Sequence, residues 1–220
     1  MVEAVEVGGE PGVLPAQPGL HAGAAGVARS ERTLARGAEA VAATGTGVAP
    51  GSGALPLVAD VTDEAALRAA LDAATGRFGV PDAVVCNAAL VRADAIGELA
   101  QSALLDAWAV NVGSALTAAA HLAPAMARRG GGSFLLTGGM PEPKALGKAG
   151  VRTLARLLDL EYGPGGVHVA TVTVDGAVAP GTDFDPDLIA EHYWRLHTQP
   201  RSRGEHDVAY TGAEATAPPA

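Results

Sequence analysis

Residues 55–87, LPLVADVTDEAALRAALDAATGRFGVPDAVVCN, decide the fold. Leu55–Asp60 is a short apolar run with Pro56 near its start, where a strand tolerates proline. Across Asp63–Phe78, Ala65, Leu67, Ala70, Leu71 and Ala74 recur at helical spacing, and Gly79 supplies a stop. Ala83–Asn87 is a second apolar run, too short for a helix. Strand, helix, strand, with the strands apolar on both faces, predicts parallel strands covered on both sides.

The alternation continues toward the C-terminus. Ser102–Arg129 reads as one long helix rich in Ala and Leu, with a kink expected at Pro124. Ser133–Thr137 reads as a strand, Leu146–Tyr162 as an amphipathic helix ended by Gly163-Pro164-Gly165-Gly166, and His168–Val174 as a β-branched strand. Pro186–Leu196 is a final helix with proline in its first turn. The N-terminal part is less regular. Val2, Val5 and Val7 suggest a first strand, and Leu14–Gly26 reads as loop because Pro15 and Pro18 both oppose a helix. Ser30–Thr44 is helical with Ser30 as N-cap, and a Gly/Pro-rich link, Gly45–Ala54, follows. The expected architecture is α/β: one domain over 1–198 built on a doubly wound parallel sheet, irregular in 1–54 and well patterned in 55–198. A polar, disordered tail is expected over 199–220. Ligands of such sheets bind at the carboxyl ends of the strands.

Composition excludes several classes. The 220 residues are 48% apolar and 18% charged, which suits one folded domain. Aromatics are only 4%, so Ala, Val and Leu must fill the core. The net charge of −9 leaves no basic face for a phosphate backbone, so no nucleic-acid partner is expected. Arg128-Arg129 and Arg201-Ser202-Arg203 read as solvated charges. A single cysteine, Cys86, rules out an internal disulfide and argues against a zinc site, so no metal is expected. The N-terminus has no basic, apolar leader pattern, and no run is expected to reach the length of a membrane-spanning helix. A cytoplasmic protein without a membrane partner is the expectation.

Several short motifs then line up. Leu57-Val58-Ala59-Asp60-Val61-Thr62, Cys86-Asn87-Ala88-Ala89, Trp108-Ala109-Val110-Asn111-Val112-Gly113, Gly147-Lys148-Ala149-Gly150-Val151-Arg152 and Val174-Asp175-Gly176 follow one another in family order. From Ser30 to His197 the chain resembles the short-chain dehydrogenase/reductase family, whose members carry a Rossmann-like domain. The resemblance implies that Asp60 accepts from the adenine amino group, unless it merely caps the next helix. It implies that Asn87 and Ala88 line the cofactor ribose, while Cys86 departs from the pattern and reads as a small buried hydrophobe. Asn111 would support a water-mediated proton relay, its alternative being a solvent-facing asparagine. Lys148 would hold the nicotinamide ribose hydroxyls and lower a tyrosine pKa, or else be a surface lysine. Thr182 would contact the carboxamide or diphosphate, and Asp185–His197 would cover the substrate pocket.

The departures are as informative. Lys144, not tyrosine, lies one helical turn before Lys148, and Gly139 stands where the family has its serine. Thr137 is the nearby hydroxyl. The stretch between Gly139 and Lys148 is short of the family pattern by about two turns at ~3.6 residues each. Of the three tyrosines, Tyr162 ends a helix on the wrong side and Tyr210 lies in the tail. Tyr193, with His192, belongs to the segment over the pocket. Gly8-Gly9-Glu10-Pro11-Gly12 has the flavour of a phosphate-binding turn, with Gly8 and Gly12 as contacts, yet Glu10 would repel phosphate and no helix can follow directly. Arg29 either pairs with an adenosine 2′-phosphate, favouring NADP over NAD, or is a surface arginine. Leu14–Gly26 reads as a shifted stretch and Pro141–Leu146 as the site of a deletion.

Three functions remain open. One is a NADP- or NAD-dependent oxidoreductase for a small alcohol or ketone, with catalysis impaired by the missing groups. Another is a pseudoenzyme on the same fold that binds a nucleotide or a partner helix without hydride chemistry. The third is a subunit of a homo-oligomer, pairing through Ser102–Arg129 and Leu146–Tyr162.

Overall fold

The computed structural model describes residues 5–8, 23–43, 53–90, 100–139 and 146–212. Its strands are β1 (Val5–Gly8), β2 (Gly23–Ala28), β3 (Gly53–Val58), β4 (Ala83–Cys86), β5 (Gly132–Thr137), β6 (Val167–Val174) and β7 (Asp207–Tyr210). The helices are α1 (Glu31–Ala43), α2 (Glu64–Phe78), α3 (Gln101–Trp108), α4 (Ser114–Arg129), α5 (Leu146–Tyr162) and α6 (Pro186–Thr198). The strands form one sheet in the order β3-β2-β1-β4-β5-β6-β7.

Residues 55–87 form the expected unit. Asp63 caps α2 by accepting from the Ala66 N–H at 3.0 Å, and Gly79 ends it with φ 85°. Leu67, Ala70, Leu71 and Ala74 form its buried stripe. Burying a leucine contributes about 1.5–3 kcal/mol each, so this stripe holds α2 on the sheet. Strand side chains alternate between faces. Val84, Phe134 and Leu136 meet Leu67, Leu122 and Val151 in the larger core. Leu135, Ala170 and Val172 join Ile189 and Leu196 of α6 in a second one. The sheet is therefore wound on both faces, as the sequence pattern requires. Cys86 sits in the larger core, where burial pushes its thiol up to about 12.

Four expectations are corrected. First, β1 runs antiparallel to both β2 and β4, while the other six strands are mutually parallel. A parallel neighbour needs a crossover, ordinarily a helix, and the sequence linking β1 to β2, with Pro15 and Pro18, is a poor helix former. Second, Gly23–Gly26, read as loop, belongs to β2, which pairs in parallel along its whole length with β3. Pairing on both sides, with β3 and β1, and burial of Ala25, Val27 and Ala28 override the poor strand propensity of Gly and Ala. Third, the tail expected to be disordered from Gln199 supplies β7, whose Val208 and Tyr210 are buried beside β6. Fourth, helical residues Gln101–Arg129 are long and apolar enough, by length and composition, to cross a membrane. Of this stretch, Val112, Ala115, Ala119 and Leu122 are buried in the larger core.

That helical stretch is also not uniform. It widens into a π-helical turn at Ala109–Gly113, between α3 and α4, whereas Pro124 lies within α4. Such turns are frequent at functional sites. This one carries Asn111.

Candidate active site

The carboxyl ends of β2, β3, β4 and β5 bring most of the sequence candidates to one edge of the sheet. Arg29 follows β2 and Asp60 follows β3. Their side chains meet, with Arg29 Nη1 3.7 Å from Asp60 Oδ2. Asp60 also accepts from the Thr62 N–H at 2.9 Å and the Thr62 hydroxyl at 2.7 Å. These bonds hold its carboxyl below the usual range, and Arg29 adds to the effect. Asp60 is not the cap of α2, because Asp63 fills that role.

Asn111 is buried, not solvent-facing. Its Oδ1 accepts from the Leu90 N–H at 2.9 Å, and its Nδ2 donates to the Leu90 carbonyl at 3.0 Å. The π turn thus clamps the chain just after β4, where Asn87 and Ala88 lie. A buried amide that satisfies both backbone groups of one residue fixes that backbone's path.

Lys148 lies in the first turns of α5 and is 2% exposed, so it is no surface lysine. Its Nζ donates to the Thr137 carbonyl at 3.1 Å. Among the described residues no carboxylate pairs with it. Burial lowers the amine to about 8. Two glycines bring the helix this close. A Cβ on Gly150 would stand 2.7 Å from the Trp108 ring and 2.9 Å from Val112 Cγ2. At Gly139, where φ is +49°, a Cβ would stand 3.3 Å from Lys148 Cε. Gly139 is therefore the floor on which the lysine stem lies.

Thr137 is the hub of the site. Its carbonyl receives Lys148, and its hydroxyl donates to Asn87 Oδ1 at 2.7 Å. Tyr193 OH lies 2.6 Å from the same hydroxyl. Since a hydroxyl has one proton to give, Tyr193 donates to Thr137 in this arrangement. Tyr193 comes from α6, which starts with Asp185 accepting from the Asp187 N–H at 2.9 Å and Pro186 in its first turn. Ile189, Tyr193 and Leu196 share one face of α6 at spacings of four and three. Ile189 and Leu196 are buried anchors, and the Tyr193 ring packs beside them. That spacing was the available sequence signal that Tyr193 points at the sheet. His192 turns away, its ring 4.8 Å from that of Tyr210.

Not all the candidates are shown to meet at this site. Gly8 pairs with Ala24 and Ala83 at the amino ends of the parallel strands, because β1 is reversed. A phosphate-binding turn anchored there would face away from Lys148. Gly12 lies outside the described residues, as does Lys144. Thr182 spends its hydroxyl within its own loop, donating to the Ala179 carbonyl at 2.8 Å and accepting from the Phe184 N–H at 3.1 Å.

A family model described as enoyl-(acyl carrier protein) reductase matches residues 20–183. The chain belongs to the short-chain dehydrogenase/reductase family. Solved structures agree on the fold. A short-chain dehydrogenase from Rhodopseudomonas palustris is 21% identical with a TM-score of 0.71, covering 85% of each chain. An alcohol dehydrogenase from Thermococcus sibiricus, complexed with 5-hydroxy-NADP, is 22% identical with a TM-score of 0.71, over 86% of this chain and 87% of that one. A 3-oxoacyl-[acyl-carrier protein] reductase from Brucella melitensis with bound NAD is 22% identical with a TM-score of 0.67, over 83% of this chain and 78% of that one. No curated protein sequence matches the chain.

Proposed function

We propose that the protein is a nicotinamide-dinucleotide-dependent oxidoreductase for a small alcohol or ketone. The observation that carries this reading is Lys148. A buried ammonium has three N–H donors, and Thr137 engages one of them. Leaving such donors unmet inside a protein is costly, so the site calls for a ligand rich in hydroxyl acceptors, as a ribose is. The donor set at the far end fits as well, with Arg29 and Asp60 together where an adenosine would lie. When bound, the dinucleotide supplies hydride exchange at its nicotinamide ring. Lys148 would hold the ribose hydroxyls, Asn87 and Ala88 would line that half of the crevice, and Asn111 would keep the backbone after β4 in place. Arg29, half-exposed at the end of β2, favours NADP over NAD.

A second reading, a nucleotide-binding pseudoenzyme, draws on Gly8 at the opposite edge and on Gly139. Fluorescence titration with NADPH and NADH, followed by a carbonyl panel, separates the two. No binding at millimolar cofactor sinks both; binding without turnover leaves the pseudoenzyme. We also propose a cytoplasmic homo-oligomer built on α3, α4 and α5, where Leu105, Leu116, Leu157 and Leu160 are exposed. An apolar face of this kind is costly in water and suits a second copy.

A further inference from the structure

We propose that Tyr193, delivered from α6, is the proton donor to the substrate oxygen in place of the tyrosine that α5 lacks. This rests on the oxidoreductase reading above. The first argument is elimination. Tyr162 closes α5, 14 residues or about 21 Å along the helix from Lys148. Tyr210 is buried and donates to the Asp183 carbonyl at 2.6 Å. Met140–Ala145 contains no hydroxyl side chain, and Ser133 sits at the other end of β5 beside His197. Tyr193 is the one tyrosine whose hydroxyl reaches the residue that holds Lys148.

The second argument is how the hydroxyl is held. Ile189 and Leu196 are fixed in the core under α6, so the ring is placed by packing and not by a mobile loop. Thr137 accepts the Tyr193 proton at rest and can turn to donate once that proton has gone. A partner able to reverse its role in this way stabilises a phenolate as it forms. In reduction of a ketone, the Tyr193 O–H bond breaks and its proton joins the carbonyl oxygen, while the carbonyl carbon gains a hydride from reduced nicotinamide. The phenolate then regains a proton from solvent. Oxidation of an alcohol runs the same steps backwards. The placement also explains how the family's tyrosine could be absent from α5 without removing a proton donor from this edge of the sheet.

Tyr193→Phe tests it, since the ring and its packing remain. The expected result is a kcat lower by about 100-fold or more, with the NADPH dissociation constant held within about twofold. Replacing Tyr193 by 3-fluorotyrosine, a more acidic phenol, is expected to move the pH profile of kcat to lower pH. Tyr193→Phe turning over like the wild type overturns the proposal and leaves the oxidoreductase reading standing. So does a fluorinated enzyme whose profile does not move, or a parallel loss of cofactor affinity and thermal stability in Tyr193→Phe, which marks a structural role. A wild-type protein that binds NADPH and reduces no carbonyl overturns the oxidoreductase reading, and this proposal with it.

Discussion

Lys148 donates to the Thr137 carbonyl across the junction of α5 and β5, from a position almost closed to solvent. One main-chain oxygen thus holds the buried ammonium, and the same residue's hydroxyl gathers Asn87 and Tyr193. The charge is held at a cost to the fold, and that cost depends on pH.

Burial lowers the Lys148 amine from 10.5 to about 8. Below pH 8 both folded and unfolded chains hold the proton, and the folded state bears the full penalty. Between the two values the unfolded chain binds more protons, so stability rises with pH. At about 1.36 kcal/mol per unit, the penalty is of order 3 kcal/mol before solvent relaxation. Lys148→Met is expected to stabilise the apoprotein at pH 7 by roughly 2–3 kcal/mol, with the gain fading above about pH 10. Urea titrations at both pH values check this, and a Met variant less stable at pH 7 refutes it.

Restoring the family's serine at Gly139 is expected to hurt. The position has φ +49°, and a side chain would press on the lysine stem at 3.3 Å. Left-handed backbone costs a non-glycine residue about 1–2 kcal/mol, before any displacement of Lys148. Gly139→Ser should lower the melting temperature by roughly 3–8 °C for a domain of this size. It should also weaken NADPH binding. A serine variant as stable as the parent, with higher turnover, contradicts this account.

Asn111→Ala removes two bonds and leaves the Leu90 N–H and carbonyl without partners. Each unmet buried group costs about 1–3 kcal/mol, so a loss of roughly 2–4 kcal/mol is expected. Hydrogen exchange at the Leu90 amide should speed up more than exchange in α2. Equal acceleration everywhere would show that Asn111 supports the fold globally and not the segment after β4.

Arg29→Ala tests cofactor preference. The Arg29–Asp60 pair is exposed on both sides and contributes little to stability, within about 0.5 kcal/mol. NADPH affinity should fall by roughly 10- to 100-fold, as expected for a lost charge-assisted bond, with NADH affinity nearly unchanged. Equal loss for both cofactors removes the case for a 2′-phosphate contact.

Much of the fold was legible because periodicity and buried apolar runs are local properties. The strand–helix–strand unit at 55–87 and the helices bearing Asn111 and Lys148 stand close to where their patterns put them. The order of the motifs was enough to recognise the family. Sense and position in the sheet were not local. Nothing in Val5–Gly8 records which way it will pair, and its reversal moved Gly8 to the far edge. Nor did the polar stretch after Gln199 announce β7, which gains its stability from β6 rather than from its own composition.

What the sequence by itself determined, then, is the α/β winding and the family. Only the tertiary structure decided which hydroxyl stands beside the residue that holds Lys148. Tyr193 and Thr137 are 56 residues apart along the chain. They meet because α6 packs its Ile189–Leu196 face on the sheet beside β5. Residue types set which groups can share a proton, and packing between distant segments sets which of them touch.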